Sequence, residues 1–298
     1  MKGSEIEFPP VNKLLILLDP DESSWNPDWF PYGSFPLYLL EILQKIRGLL
    51  FSSVSEDVRV LARSLSALAD LGTIVGVALL GRAAFDRKVG ILAAIFTTFS
   101  VIHIQLSHFF AFDTFMTFFS VWTLYFLYRA IEHRRRKDMV ISGILLGLGL
   151  ATKISLIPLL AAFAFTQLIC IARSFNQRDG YSVQIRRTVL SGTWGIVACF
   201  FAFTVAQPYA LLDWNTFIQD ISEQSEMVRR IRDYPYTRQY IETTPYFYQL
   251  IQLGRWGLGW PLAIVSTAGL LWAVVAGMRF KYGIVTIICC ICSPAIIL

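Results

Sequence analysis

Charge is scarce in this chain: Asp, Glu, Lys and Arg make up only 16% of its 298 residues, and histidine occurs three times. A soluble domain of this length carries more polar surface. Cysteine is also thin. Cys170, Cys199, Cys289, Cys290 and Cys292 all lie in apolar stretches, with no metal-ligand spacing to a histidine, so they read as packing residues and define no disulfide framework. GxGxxG, Walker and HExxH runs are absent, as is any repeat of about 20 to 50 residues. Dinucleotide chemistry, nucleotide hydrolysis and a solenoid are therefore poor fits.

What the chain has in abundance is apolar surface: 55% hydrophobic residues and a mean hydropathy of +0.54. Apolar runs approaching the ~20 residues that cross ~30 Å of hydrocarbon recur along it. They predict an all-α, polytopic transmembrane helix bundle of about eight spans. The spans run over Leu61–Leu80, Val89–Leu106, Ala111–Ala130, Met139–Thr152, Leu156–Ala172, Thr188–Gln207, Leu258–Gly277 and Tyr282–Leu298. The fourth and fifth are short and read as a broken pair. Gly143, Gly147, Gly149 and Pro158 suit close helix packing in lipid.

Basic residues set the orientation. Alternate gaps carry clusters such as Arg134, Arg135, Arg136 and Lys137, whereas the opposite short gaps hold only Arg59 and Lys153. The positive-inside bias makes the basic gaps cytoplasmic, so the net charge of +5 reflects topology rather than nucleic-acid binding. The organisation that follows is an extracytoplasmic segment over 1–60, a transmembrane core over 61–207, an outer loop over 208–257 and C-terminal spans over 258–298. No signal peptide precedes the first segment and Leu298 ends inside an apolar run, so the chain reads as a piece truncated at both ends.

Two outer segments are patterned. Pro36–Phe51 sets Leu37, Leu40, Leu43, Ile46 and Leu50 against Glu41, Gln44, Lys45 and Arg47, the pattern of a juxtamembrane helix lying on the bilayer. Leu212–Arg232 repeats Trp214, Phe217, Ile221, Val228 and Ile231 near helical spacing, with Asp213 as N-cap. After it the outer loop gathers Tyr236, Tyr240, Tyr246 and Tyr248. These read either as an interfacial aromatic belt or as a platform that stacks on a sugar or an isoprenoid tail.

The costliest residue is Asp113, inside the aromatic run LSHFFAFDTFMTFF at Leu106–Phe119. A carboxylate at membrane depth is expensive and marks a functional candidate. His103 and Ser107, four apart, read as an internal hydrogen-bonded pair, and Arg63 and Asp70, seven apart, as a pair within the bundle.

Four segments together, NPDWFPYGSFPLYLL at Asn26–Leu40, the Leu106–Phe119 run, GILLGLGLATKISLIPLL at Gly143–Leu160 and QPYALLDWNTF at Gln207–Phe217, resemble the dolichyl-phosphate-mannose protein mannosyltransferase superfamily. Its relatives include the bacterial aminoarabinose transferase and other GT-C enzymes. The resemblance covers about residues 20 to 280 and implies a multispan, bacterial-type inner-membrane glycosyltransferase. Such an enzyme moves a sugar from a polyprenyl-phosphate carrier to an extracytoplasmic hydroxyl on protein, lipid or glycan. One displacement inverts the anomeric centre, by analogy with inverting hydrolases. The chemistry needs a carboxylate to take the acceptor's proton and cations to offset charge on the departing phosphate.

The same resemblance distributes roles. Asp21 and Glu22 stand where the family's acidic pair is sought, although closer to YGSFP than that pattern has it, and their alternative is a solvated loop or cap. Asp113, with His108 five residues before it, falls at the family's Arg-or-His then Asp arrangement. Either this charge pair at the helix mouth acts, His108 holding the carrier phosphate and Asp113 serving catalysis or orienting the base, or it is a structural pair that snorkels to the interface. Lys153 reads as a compact charge for the carrier phosphate or as an interface anchor. Arg63 is a further carrier-phosphate candidate. A divalent cation bridging carboxylate and phosphate fits the chemistry, but no ligand spacing demands one. A transporter or flippase and a noncatalytic membrane subunit remain the competing readings.

Overall fold

The structure is a computed structural model and describes residues 19–50, 57–175, 181–229, 231, 234–240, 243–244 and 247–277. Every regular element among them is a helix. The chain runs through α1 (Phe35–Leu50), α2 (Val58–Ala84), α3 (Arg87–Thr98), α4 (Val101–Ser107), α5 (Phe112–His133) and α6 (Arg136–Leu150). A 3₁₀ turn at Ile154–Leu156 leads to α7 (Pro158–Phe175), α8 (Tyr181–Ala206), α9 (Tyr209–Leu212) and α10 (Trp214–Val228). A 3₁₀ segment at Pro235–Tyr240, α11 (Phe247–Gln252), a π-helical stretch at Leu253–Leu258 and α12 (Trp260–Gly277) complete the order.

Local chemistry starts several of these helices, two to three residues away from the apolar runs that predicted them. The Asp57 carboxylate caps α2 by accepting from the Arg59 amide, and that bond, with the Arg59 guanidinium, holds its carboxyl below the usual range. Asp86 caps α3 through the Val89 amide at 2.9 Å. Pro158 opens α7, where its missing N–H is no loss. Asp213 caps α10, as its spacing predicts.

The core lies among α5, α6, α7 and α8, around Leu127, Leu146, Leu159 and Phe163. α6 and α8 approach to backbone contact. A Cβ on Gly143 would strike the Gly195 carbonyl, and one on Gly147 the Cys199 carbonyl, so this seam requires the small-residue spacing. α2 packs across α5 through Ala69, Phe115 and Phe119, and the Trp122 indole donates to the Gly72 carbonyl at 3.0 Å. Cys170 and Cys199 are buried free thiols, as packing residues should be, and the other three cysteines lie outside the described residues.

The expected spans that fall on described residues coincide with helices, but the count of eight does not stand. Among the described residues three helices are long and apolar enough to cross a membrane: Val58–Ala84, Ile154–Phe175 and Ser182–Ala206. Counting α3 with α4 as one span, bent by 60°, makes four. α6, with 15 residues, is shorter than a crossing needs, and α5 dilutes its 22 residues with Asp113, Arg129, Glu132 and several hydroxyls. Tyr282–Leu298 lies outside the described residues. The short fourth and fifth runs resolve differently from a broken pair, since the 3₁₀ turn extends α7 to span length.

Candidate functional site

One end of the bundle gathers all four sequence segments. α5 opens there with Phe112 and puts Asp113 in its first turn, where the helix dipole favours an anion. The preceding loop is pinned to α2, because the Ala111 amide donates to Ser66 Oγ at 3.2 Å. Lys153 occupies the extended residue between α6 and the 3₁₀ turn, and its Nζ reaches Asp113 Oδ1 at 3.0 Å. The Asp113 side chain is 41% exposed and that of Lys153 20%, so the pair is open to solvent on one side.

The segment before α1 closes the other side. Gly33 donates to the Thr152 carbonyl at 2.9 Å and Phe35 to the Ala151 carbonyl at 3.1 Å, laying this run along the turn that carries Lys153. A Cβ on Gly33 would collide with the Ala151 carbonyl, so glycine is required. The Tyr32 ring then stacks on Phe112, with centroids 5.1 Å apart, and lies 5.7 Å from Lys153 Nζ. A cation over this aromatic face is stabilised while keeping protons free for a ligand.

The same run is tied to the α9–α10 region. Ser23 and the Tyr209 hydroxyl share a hydrogen bond of 2.5 Å, the Asn26 side-chain Nδ2 donates to Asp213 Oδ2 at 3.3 Å, and the Phe30 backbone N–H to Asp220 Oδ2 at 2.6 Å. Phe30 and Phe217 meet edge to face, their centroids 5.7 Å apart. Beside this knot an apolar cavity of about 480 Å³ opens between α1, α6 and α8, lined by Trp25, Tyr38, Leu39, Ile42, Val205 and Leu212 among others. Burial pushes the Tyr38 hydroxyl up to about 12, so it stays protonated and donates to the Trp25 carbonyl at 2.9 Å.

Of the residues singled out from sequence, Asp113 and Lys153 come together. His108 does not join them: its Nδ1 bonds the Ile104 carbonyl one turn back at 2.6 Å, because it caps α4. Arg63 is exposed on α2 and does not pair with Asp70. Asp70 instead meets His103 Nδ1 at 2.5 Å, since α4 folds against α2 and brings the two to one depth. The expected His103–Ser107 pair is thereby lost, and Ser107 Oγ donates to the Ile104 carbonyl. Asp21 and Glu22 are exposed on the turn held by Ser23 and Asn26, and no hydrogen bond or ion pair joins either to Asp113 or Lys153. Tyr248 accepts from Gln252 at 2.7 Å; Tyr246 and the side chains of Tyr236 and Tyr240 lie outside the described residues. Among the described residues no group of three His, Cys, Asp or Glu could hold a metal ion. Sequence reasoning missed Tyr32 and Gly33, although both stand inside the YGSFP run it quoted.

An all-helical bundle with membrane-length spans, carrying an acid–base pair at one end beside an apolar cavity, is the class that fold and site define. The chain belongs to the dolichyl-phosphate-mannose-protein mannosyltransferase family, whose sequence profile matches residues 42–208. Among solved structures it is similar to the archaeal oligosaccharyltransferase AglB from Archaeoglobus fulgidus in complex with an inhibitory peptide and a dolichol-phosphate. The TM-score is 0.53 at 17% identity, covering 90% of this chain and 39% of that one. A second Archaeoglobus fulgidus oligosaccharyltransferase structure, with Zn and sulfate, aligns at TM-score 0.48 and 17% identity, over 93% of this chain and 38% of that one. The chain therefore spans about two fifths of the solved proteins it matches. No curated protein sequence matches it.

Proposed function

We propose that this chain carries the donor-binding half of a membrane glycosyltransferase that moves a sugar from a polyprenyl-phosphate carrier to a hydroxyl on protein, lipid or glycan at the extracytoplasmic face. One observation carries the reading: the Lys153–Asp113 pair, roofed by Tyr32, sits at the same end of the bundle as an apolar cavity of about 480 Å³. A carrier lipid has that polarity, an anionic phosphate joined to an isoprenoid tail. Family membership supports the reading, as does the dolichol-phosphate bound by the similar AglB.

In this mechanism the Lys153 ammonium contacts the carrier phosphate, and Asp113 holds the ammonium in place. The acceptor oxygen attacks the anomeric carbon, the bond from that carbon to the phosphate oxygen breaks, and polyprenyl phosphate leaves with the electron pair. The stereochemistry inverts, and a carboxylate takes the acceptor proton. Asp21 and Glu22, exposed on the tethered acidic turn, are the carboxylates assigned to that proton. The Tyr236, Tyr240, Tyr246 and Tyr248 loop supplies aromatic faces for the sugar.

Purified full-length protein in nanodiscs should release polyprenyl phosphate from a panel of polyprenyl-phosphate sugars only when an acceptor is present. Asp113→Asn should lower that release by about ten-fold or more, the scale of positioned electrostatic groups. Consumption of no donor, together with protein-dependent passage of a substrate across sealed vesicles, would replace this reading by transport.

A further inference from the structure

The opposite end of the bundle carries a second cavity, of about 260 Å³, between α5, α6, α7 and α8. Four guanidinium side chains, Arg134, Arg135, Arg136 and Arg187, line it, and no Asp or Glu does. The rest of its polar wall is uncharged: Gln167, Gln184, Thr188 and Ser191. The neighbouring acids are engaged elsewhere, Asp138 by Arg129 at 3.4 Å and Glu132 by Arg173 at 3.8 Å. Among the described residues no ion pair engages any of the four arginines.

Two features show more than a solvated basic end. Arg134 closes α5 in the left-handed region, at φ 51, where glycine or asparagine would sit without strain. Arg136 is held over the Trp194 ring at 4.7 Å, which fixes its planar donor fork. Arg187, Leu190 and Trp194 recur at helical spacing along α8, and the last two are about half exposed. The cavity thus opens where a basic wall meets the bare apolar flank of a membrane-length helix.

We propose that this cavity is a binding site for an anionic phosphate group, supplied by the headgroup of an anionic phospholipid whose acyl chains lie along α8 beside Leu190 and Trp194. Guanidinium forks match phosphate oxygens two at a time, and clustered basic residues at a membrane surface attract anionic headgroups. The site stands apart from the donor-binding end and does not depend on the reading proposed for it.

Native mass spectrometry of the purified full chain in neutral detergent tests this. Phosphatidylglycerol should be retained about ten-fold more than zwitterionic phosphatidylcholine, and the double variant Arg134→Gln with Arg187→Gln should lose about that factor. Arg82→Gln, a basic residue outside the cavity, should change nothing, and Arg187→Gln alone, on an exposed helix face, should show a partial loss even where the double variant fails to fold. Retention of inorganic phosphate as firmly as the lipid, lost in the same variants, would identify a soluble phosphate as the source and keep the site. Equal retention of phosphatidylglycerol and phosphatidylcholine, or of phosphatidylglycerol by wild type and Arg187→Gln, would overturn it.

Discussion

Lys153 and Asp113 stand forty residues apart in the chain, and each alone has an ordinary explanation as an interface anchor or a snorkelling acid. The contact at 3.0 Å changes the balance, because a half-exposed ion pair contributes only about 0–1 kcal/mol to stability and is a weak reason to keep two charges in an apolar setting. Lys153→Met should therefore leave the melting temperature within a few degrees of wild type while sugar transfer falls at least as far as in Asp113→Asn. A large loss of thermal stability with normal transfer would make the pair structural. His103 and Asp70 present the reverse case, since both are largely buried and face each other inside the bundle. His108 and Arg63, read from sequence as phosphate ligands, are separated from the pair by helix geometry: one is turned back on its own helix and the other is exposed on α2.

Elements were legible to the extent that their signals are local. Asp213 caps α10 as its spacing predicts; Asp57 and Asp86 cap helices by the same chemistry, and Pro158, read from sequence as interior to a span, opens one instead. Glycines carry a message that depends on the partner helix: Gly143 and Gly147 lie four apart on α6, yet only α8 shows why, through the carbonyls of Gly195 and Cys199. Gly147→Val should destabilise the bundle by about 1–3 kcal/mol, the range for forcing extra methyls into a closed seam, readable as a lowered melting temperature in detergent. The same change at Gly48, where a Cβ meets nothing, should cost no more than a surface substitution. Equal effects at the two positions would contradict the tight α6–α8 seam.

The whole molecule is polar end to end in its chemistry: an acid–base pair and an apolar cavity at one end, a cavity lined by four arginines at the other. By the positive-inside bias, that axis is expected to cross the bilayer with the arginine end on the cytoplasmic side. Cysteines introduced at Asn215 and Arg135, both exposed, should therefore react with impermeant maleimide from opposite sides. Asn215 should label in intact cells or spheroplasts, and Arg135 only after permeabilisation. The inverse pattern would move the pair and the acidic turn to the cytoplasmic side and end the proposed role.

Hydropathy and composition by themselves determined an all-helical, membrane-type chain, and the order of four short motifs was enough to indicate its family, because burial in lipid imposes a one-dimensional signature that needs no partner to be read. Tertiary packing decided the rest. It decided that, among the described residues, fewer helices have span length and apolarity than there are apolar runs, and that Asp70 meets His103 rather than Arg63. It also laid Tyr32 and Gly33 against the Lys153 turn. Those outcomes depend on which surfaces two elements press together, and periodicity along one helix carries no information about the face of another.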